Sequence, residues 1–199
     1  MKNKDNIAVL VLAAGKSSRM RQPKQLLGWG KTTLLNHAIE QAKEVTQHVF
    51  VVLGAYKDII KVSIPKDVAI VFNPDWEQGM GTSIALGISE LRKNHNFNTV
   101  LIMLADQPFL DSRYLCELKR IFVKSECKIA ATFYGKNNGV PAIFHNSVFD
   151  ELLKLNKDYG AKKLMKKLAS DIKGLHPEGK EIDIDTFETY QELLIKLEQ

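Results

Sequence analysis

The chain has 199 residues, 45% hydrophobic and 26% charged, a composition suited to one globular domain over residues 1–199 with a well-buried core. Its formal net charge of +5 points to an anionic partner, either a nucleic acid or a small polyanion. No apolar stretch approaches transmembrane length, and the polar residues 1–6 lead into an apolar run too short for a signal peptide, so a cytoplasmic protein without a membrane partner is expected.

Residues 7–12 read as a buried strand that feeds directly into Leu12-Ala13-Ala14-Gly15-Lys16-Ser17-Ser18-Arg19-Met20, followed by Pro23-Lys24. Gly15 and its small neighbours let backbone N–H groups approach phosphate oxygens closely. Arg19 can fork two oxygens, and Lys24 supplies a mobile point charge. This is how a chain prepares to hold a triphosphate. Two better-known phosphate loops are excluded. A dinucleotide fingerprint needs three glycines in G-x-G-x-x-G, and Gly15 stands alone. A P-loop ending in Gly30-Lys31-Thr32 would need Gly where Gln25 stands, and a strand just before it.

Beyond the loop, Thr33 can cap a helix with Leu34, Leu35, Ala38, Ile39 and Ala42 on one face. Residues 49–53 are a β-branched-rich strand closed by Gly54, 58–62 a short helix, and 68–72 the next strand, ending before Asn73. A small-residue loop at Gly79 to Gly81 precedes a helix over 82–91. The strand 99–104 terminates near Asp106. From position alone, Asp106 reads equally as a metal ligand at a strand tip or as a turn residue before Pro108. Asp111 or Ser112 starts a helix to about 123. Strands follow at 128–133 and 140–144, and Pro141 marks an edge or a bulge. Cys116 and Cys127 form no C-x-x-C pair and read as reduced core residues. Helices are expected at 146–155 and 161–168, then a short strand at 182–184 and a final helix. Asp183 and Asp185 point the same way on such a strand, although Asp185 or Thr186 could equally cap the helix.

Lys154, Lys157, Lys162, Lys163, Lys166 and Lys167 decorate helices without an interleaved aromatic series, so they read as solvated faces and no nucleic-acid partner is expected. His37, His48, His95, His145 and His176 show no ligand spacing and read as structural or surface residues. Alternating strands and helices predict an α/β fold, a three-layer α/β/α sandwich with a mostly parallel sheet. Ligands of such sheets bind at the carboxyl ends of strands, where the 13–24 loop, Asn73 and Asp106 all fall.

L-A-A-G-x-x-x-R-M with P-K resembles the signature of the sugar-nucleotidyltransferase-like superfamily, and within it the MobA/MocA-like branch of molybdenum cofactor cytidylyltransferases and guanylyltransferases. Four later segments agree in order: Asn73 to Ser83, Leu104-Ala105-Asp106-Gln107-Pro108, Gly139 to Phe144, and Asp183-Ile184-Asp185-Thr186. The resemblance spans nearly the whole chain. It implies a nucleotide-diphospho-sugar transferase-like, Rossmann-like fold and Mg²⁺-dependent transfer of a nucleotide, with release of pyrophosphate. Arg19, Lys24 and Asp106 would be catalytic. Leu12, Ala13, Ala14, Gly15, Asn73, Gly79 and Ser83 would join them in binding nucleotide. Asp106 and Asp185 would hold the metal ion, with Asp183 the alternative to Asp185. Gly139, Pro141 and Asp158 would face the acceptor, Asp158 either orienting it or capping a helix.

The A-A-G form of the loop resembles the cytidylyltransferases, which implies CTP as donor, a molybdopterin-type acceptor and a molybdoenzyme of the xanthine dehydrogenase type as recipient of the product. A sugar or polyol phosphate acceptor, or a nucleotide-binding accessory role, are the alternatives. Four positions depart from the family pattern. Arg21 stands where relatives carry Gly, Lys157 replaces Gly, Lys162 replaces Arg, and Phe187 replaces Pro.

Overall fold

The computed structural model describes residues 6–94 and 96–197, so the polar residues 1–5 and His95 lie outside the described residues. The elements run in the order β1 (Ile7–Ala13), β2 (Gly28–Trp29), β3 (Thr32–Thr33), α1 (Leu34–Lys43), β4 (Val49–Leu53), α2 (Lys57–Ile60), β5 (Ala69–Phe72), α3 (Met80–Asn94), β6 (Thr99–Leu104), α4 (Ser112–Lys124), β7 (Ile129–Tyr134), β8 (Asn137–His145), α5 (Phe149–Leu152), α6 (Lys162–Lys167), β9 (Ile172–Leu175) and α7 (Phe187–Leu197).

Seven strands form one sheet in the order β5-β4-β1-β6-β8-β7-β9. β1 pairs in parallel with β4 and β6, β4 with β5, and β7 with β9. β8 alone runs antiparallel, because it returns from β7 by a hairpin and inserts between β6 and β7. Every residue of β1 is buried, as a central strand covered on both faces must be. Its alternate side chains divide the core. Val9 and Val11 meet Leu35 and Ile39 of α1 and Leu115, Leu118 and Phe122 of α4. Ala8 and Leu10 meet Ile84, Ile88 and Leu91 of α3, with α5 and α6 continuing that layer. The fold is therefore the expected three-layer α/β class.

The caps follow ordinary chemistry. The Thr33 side chain accepts from Asn36 N–H and that of Asp111 from Tyr114 N–H, each satisfying a donor that its helix leaves unpaired. Pro141 lies in an interior strand rather than at an edge, and it sits where the β7–β8 register shifts between Ala131 and Thr132. The Thr132 hydroxyl donates to Pro141 O at 2.8 Å across that irregularity.

Three expectations need correction. Residues 182–184 form no strand. Their backbone docks on the β6 rim through one bond, Ile184 N–H to Asp106 O at 2.9 Å, too little to make a ladder. The sheet is completed instead by β9, whose Ile-Lys-Gly-Leu sequence carries little strand signal and is held by pairing with β7. Cys116 is exposed, because the buried stripe of α4 runs through Tyr114, Leu115, Leu118 and Phe122 and leaves it outside; Cys127 is buried. The expected helix over 146–155 is broken into a 3₁₀ turn at Asn146–Val148 and the single-turn α5. Among the described residues, no helix is long and apolar enough to cross a membrane.

Arg21 occupies the left-handed region, with φ 55° and ψ 10°. The loop thus keeps the conformation that Gly would favour, at a steric cost of about 1–2 kcal/mol for a residue with a Cβ. Arg21→Gly should relieve that cost and lose part of the gain to unfolded-state entropy. A net stabilisation of up to about 1 kcal/mol is expected in urea unfolding.

Candidate active site

The rim at the carboxyl ends of the strands is stitched together by backbone bonds that continue past the ladders. Ala55 N–H donates to Ala14 O at 3.0 Å, Ala105 N–H to Leu12 O at 3.3 Å, and Asn73 N–H to Leu53 O at 2.8 Å. These bonds set the loops after β1, β4, β5 and β6 side by side. Between them opens a cavity of about 420 Å³, lined by the 12–15 loop, Arg19, Lys24, Trp76, Glu77, Gly79, Ser83, Asp106, Asp158 and Asp185 among others. That volume suits a small ligand.

The centre of the site is the Lys24 ammonium. It lies 2.5 Å from Asp106 Oδ2, 3.1 Å from Asp185 Oδ1 and 3.0 Å from Ile184 O. Arg19 Nη2 lies 3.0 Å from the second oxygen of Asp185. Burial alone would lower the Lys24 pKa, but the Asp106 and Asp185 carboxylates more than offset it and the net shift is upward. Burial pushes the Asp185 carboxyl up, yet Lys24 and then Arg19 hold it below its ordinary value. Asp183 is raised, first by burial and then by the neighbouring Asp106 and Asp185 charges. Thr186 accepts from Thr189 N–H at 3.2 Å and so takes the capping role at α7, which leaves Asp185 free to face the cations.

Asp106 has one further property. Its Oδ1 is buried and has no hydrogen-bond partner among the described residues. An orphaned carboxylate oxygen is costly unless a ligand completes it. Mg²⁺ needs only one or two carboxylates when phosphates supply the rest. Asp106, with Asp185 beside it, therefore fits a divalent cation. Among the described residues, no group of three or more His, Cys, Asp and Glu side chains is arranged around one ion.

The 12–15 loop is held from beneath by a residue that the sequence did not single out for function. Gln25 is 3% exposed, and its Nε2 donates to Ala13 O at 2.8 Å and to Gly15 O at 3.0 Å, pinning both sides of the turn. A Cβ added to Gly15 would meet nothing within 4 Å. The fold itself therefore leaves room for a side chain at this position, on the wall of the cavity.

Asn73 lies beneath the cavity wall. Its amide nitrogen donates to Thr82 Oγ1 and Ser83 Oγ, both at 2.9 Å, and its oxygen accepts from Asp75 N–H. It buckles the loop before α3 and sets Ser83, which lines the cavity. Gly79, at φ 112°, is needed because the Asp158 backbone crosses it; a Cβ there would clash with Asp158 Oδ1 and with the Asp158 main chain. Asp158 thus shares the cavity with Gly79.

Gly139 and Pro141 are not among the cavity's lining residues. Gly139 packs under the Tyr134 ring, and the Tyr134 hydroxyl donates to Val140 O while accepting from Gln107 Nε2 at 3.0 Å. Gln107 also offsets part of the upward shift of the Asp183 carboxyl, which places its amide beside the Asp183–Asp185 segment. Gln107 stands in the expected Asp106 segment, but nothing in the sequence ties it to Tyr134. Two of the histidines read as structural make polar contacts: His37 Nε2 meets Pro108 O at 3.0 Å, and His145 accepts from Ser147 N–H.

A cleft that sets two cations against two carboxylates at the rim of a mostly parallel sheet suits an anionic ligand. The model described as the MobA-like NTP transferase domain matches residues 9–172, and the chain belongs to that family. It is 37% identical over 117 residues to the bifunctional protein GlmU of Rhodococcus jostii, covering 54% of this chain and 23% of that one. It is 30% identical over 95 residues to the molybdenum cofactor cytidylyltransferase of Escherichia coli, covering 47% and 50%. The matches therefore span a quarter of the first relative and half of the second. The crystal structure of Rv0371c from Mycobacterium tuberculosis superposes with a TM-score of 0.82 at 28% identity, covering 96% of this chain and 97% of that one. The same mycobacterial protein is known as a complex with manganese, with a TM-score of 0.75 and 27% identity over 96% and 98% of the two chains.

Gln25→Ala should leave Ala13 O and Gly15 O without their buried donor. A loss of about 1–3 kcal/mol in urea unfolding is expected, with a weakened nucleotide affinity measured by calorimetry.

Proposed function

We propose that the chain transfers CMP from CTP to a molybdopterin-type acceptor bearing a phosphate, releasing pyrophosphate. The observation that carries this reading is the convergence of Lys24, Arg19, Asp106 and Asp185 on the cavity beside the 12–15 loop. The cytosine preference rests on Ala14 in the A-A-G form of the loop and on the likeness to a cytidylyltransferase of E. coli.

In this reading the triphosphate lies along the 12–15 loop, whose backbone N–H groups and Ser17 and Ser18 hydroxyls meet its oxygens. Arg19 and Lys24 bind the β- and γ-phosphates and stabilise the charge that grows on the leaving pyrophosphate. Ser83 and the Gly79 backbone face the base. A phosphate monoester has its second pKa near 6 and is largely dianionic at neutral pH, so its oxygen attacks the α-phosphorus without a protein base. The P–O bond to the β-phosphate breaks as the new P–O bond forms. Mg²⁺, held by Asp106 and Asp185, would neutralise charge on the α-phosphate and the acceptor. The protein's share is positioning and charge. A partner molybdoenzyme would receive the product.

The test is Mg²⁺-dependent pyrophosphate release, with CTP, GTP, ATP and UTP each offered beside molybdenum-loaded molybdopterin. Release with CTP alone is expected. Release with GTP alone would overturn the base assignment, and release only with a sugar or polyol phosphate would overturn the acceptor. Lys24→Ala and Asp106→Ala should each lower kcat by at least about a hundredfold, on the order of 3 kcal/mol, with far-UV circular dichroism unchanged. Retained turnover in Asp106→Ala would sink the metal assignment. Gly15→Val should fold normally, since the position is open, but raise the KM for nucleotide several-fold by filling space beside the phosphates.

A further inference from the structure

We infer that the Lys24 ammonium is a built-in placeholder for the divalent cation, so that the site takes up metal only together with nucleotide. The inference rests on the reading of Asp106 and Asp185 as metal ligands and deepens it.

Lys24 has three N–H donors and spends them on three oxygens: Asp106 Oδ2, Asp185 Oδ1 and Ile184 O. All three distances fall between 2.5 and 3.1 Å, and the Lys24 and Asp106 side chains are only 16% and 18% exposed. An ammonium and a divalent ion cannot share the space between the same two carboxylate oxygens. The oxygen left over, Asp106 Oδ1, has no partner among the described residues, but a single carboxylate oxygen is a poor site for an ion that resists dehydration. The local charge tells the same way. Lys24 and Arg19 offset the charges of Asp106 and Asp185, with Asp183 the further acid beside them, so an arriving cation meets two ligands whose attraction is already largely spent on the protein's own cations.

The nucleotide changes that balance. Lys24 enters the site from the end of the phosphate loop, where its backbone N–H lies 3.3 Å from Ser17 Oγ. Its main chain is therefore anchored beside the triphosphate position, while its flexible stem reaches across to the carboxylates. A triphosphate on the loop competes for the same ammonium and draws it off Asp106 and Asp185. The two acids then regain the charge and the space to hold a metal ion. Cation and nucleotide must strengthen each other's binding by the same factor, because linkage is reciprocal. The metal ion enters with the triphosphate and is not a resident of the free protein.

The experiment measures Mn²⁺ binding to the full chain by electron paramagnetic resonance, without acceptor. Wild type, Lys24→Met and Lys24→Arg are compared with no nucleotide present. Lys24→Met should bind Mn²⁺ at least tenfold more tightly than wild type, and Lys24→Arg, which keeps the charge, should stay near wild type. Adding Asp106→Asn to Lys24→Met should abolish the gain, which places the ion on that carboxylate. An unchanged Mn²⁺ affinity in Lys24→Met overturns the inference. If Lys24→Met does not fold, Lys24→Gln removes the charge with a polar side chain and gives the same comparison. In a separate arm with CTP, wild type should bind Mn²⁺ at least tenfold more tightly than without it, and CTP binding without that gain overturns the inference; failure of wild type to bind CTP at all would instead count against the nucleotidyltransferase reading and leave the nucleotide-free comparison intact.

Discussion

Much of this molecule is organised around one ammonium group. Lys24 ties the loop after the first strand to Asp106 at the end of β6 and to Asp185 just before the last helix. Those segments are 82 and 161 residues away along the chain. Removing one member of such a partly buried pair would leave a charge without its partner, which is far more costly than the net worth of the pair itself. The exposed Arg19–Asp185 pair, by contrast, contributes little to stability, and its value lies in presenting charge to the cavity. The same electrostatic focus that steadies the rim is what the proposed triphosphate would meet.

The parallel sheet explains why these groups can meet. Parallel strands end on one rim, and the hydrogen bonds from Ala55, Asn73, Ala105 and Ile184 carry the sheet's spacing outward into the loops. The chain around Ile184 is pinned from a second direction. Ile184 is fully buried with Met20, Trp29, Leu34, Tyr190 and Leu193, and Tyr190 donates to Gly28 O at 2.8 Å. The small β2–β3 hairpin, whose Gly30-Lys31-Thr32 mimics half of a P-loop, therefore has a packing role. It makes a platform for α7, and α7 holds the second acid in place.

The sequence made the central layer legible. Runs such as 7–12, 49–53 and 99–104 are apolar on both faces, and only a covered parallel strand uses such a run. The loop at 12–24, Asp106 and Asp185 were also legible, because each is a chemical type set at a strand end or in a short motif. The less legible parts have physical reasons. β9 is held by its neighbour rather than by its own residues, and the 182–184 segment looks like a strand but lacks a partner along its length. Gln25, Asn73, Gln107 and Tyr134 are polar residues whose roles lie wholly in their hydrogen-bond partners. No spacing in the chain announces those partners.

The sequence by itself determined the layer architecture, the family and the inventory of charged groups, since periodicity and motif order are local properties of the chain. The tertiary structure alone decided which groups touch. It drew Asp158 to Gly79, kept Gly139 and Pro141 off the cavity wall, gave the α7 cap to Thr186, and set Lys24 between two carboxylates. Contacts such as those of Lys24 with Asp106 and Asp185, 82 and 161 positions away, depend on how loops pack over the sheet's rim, and that packing is a property of the whole fold.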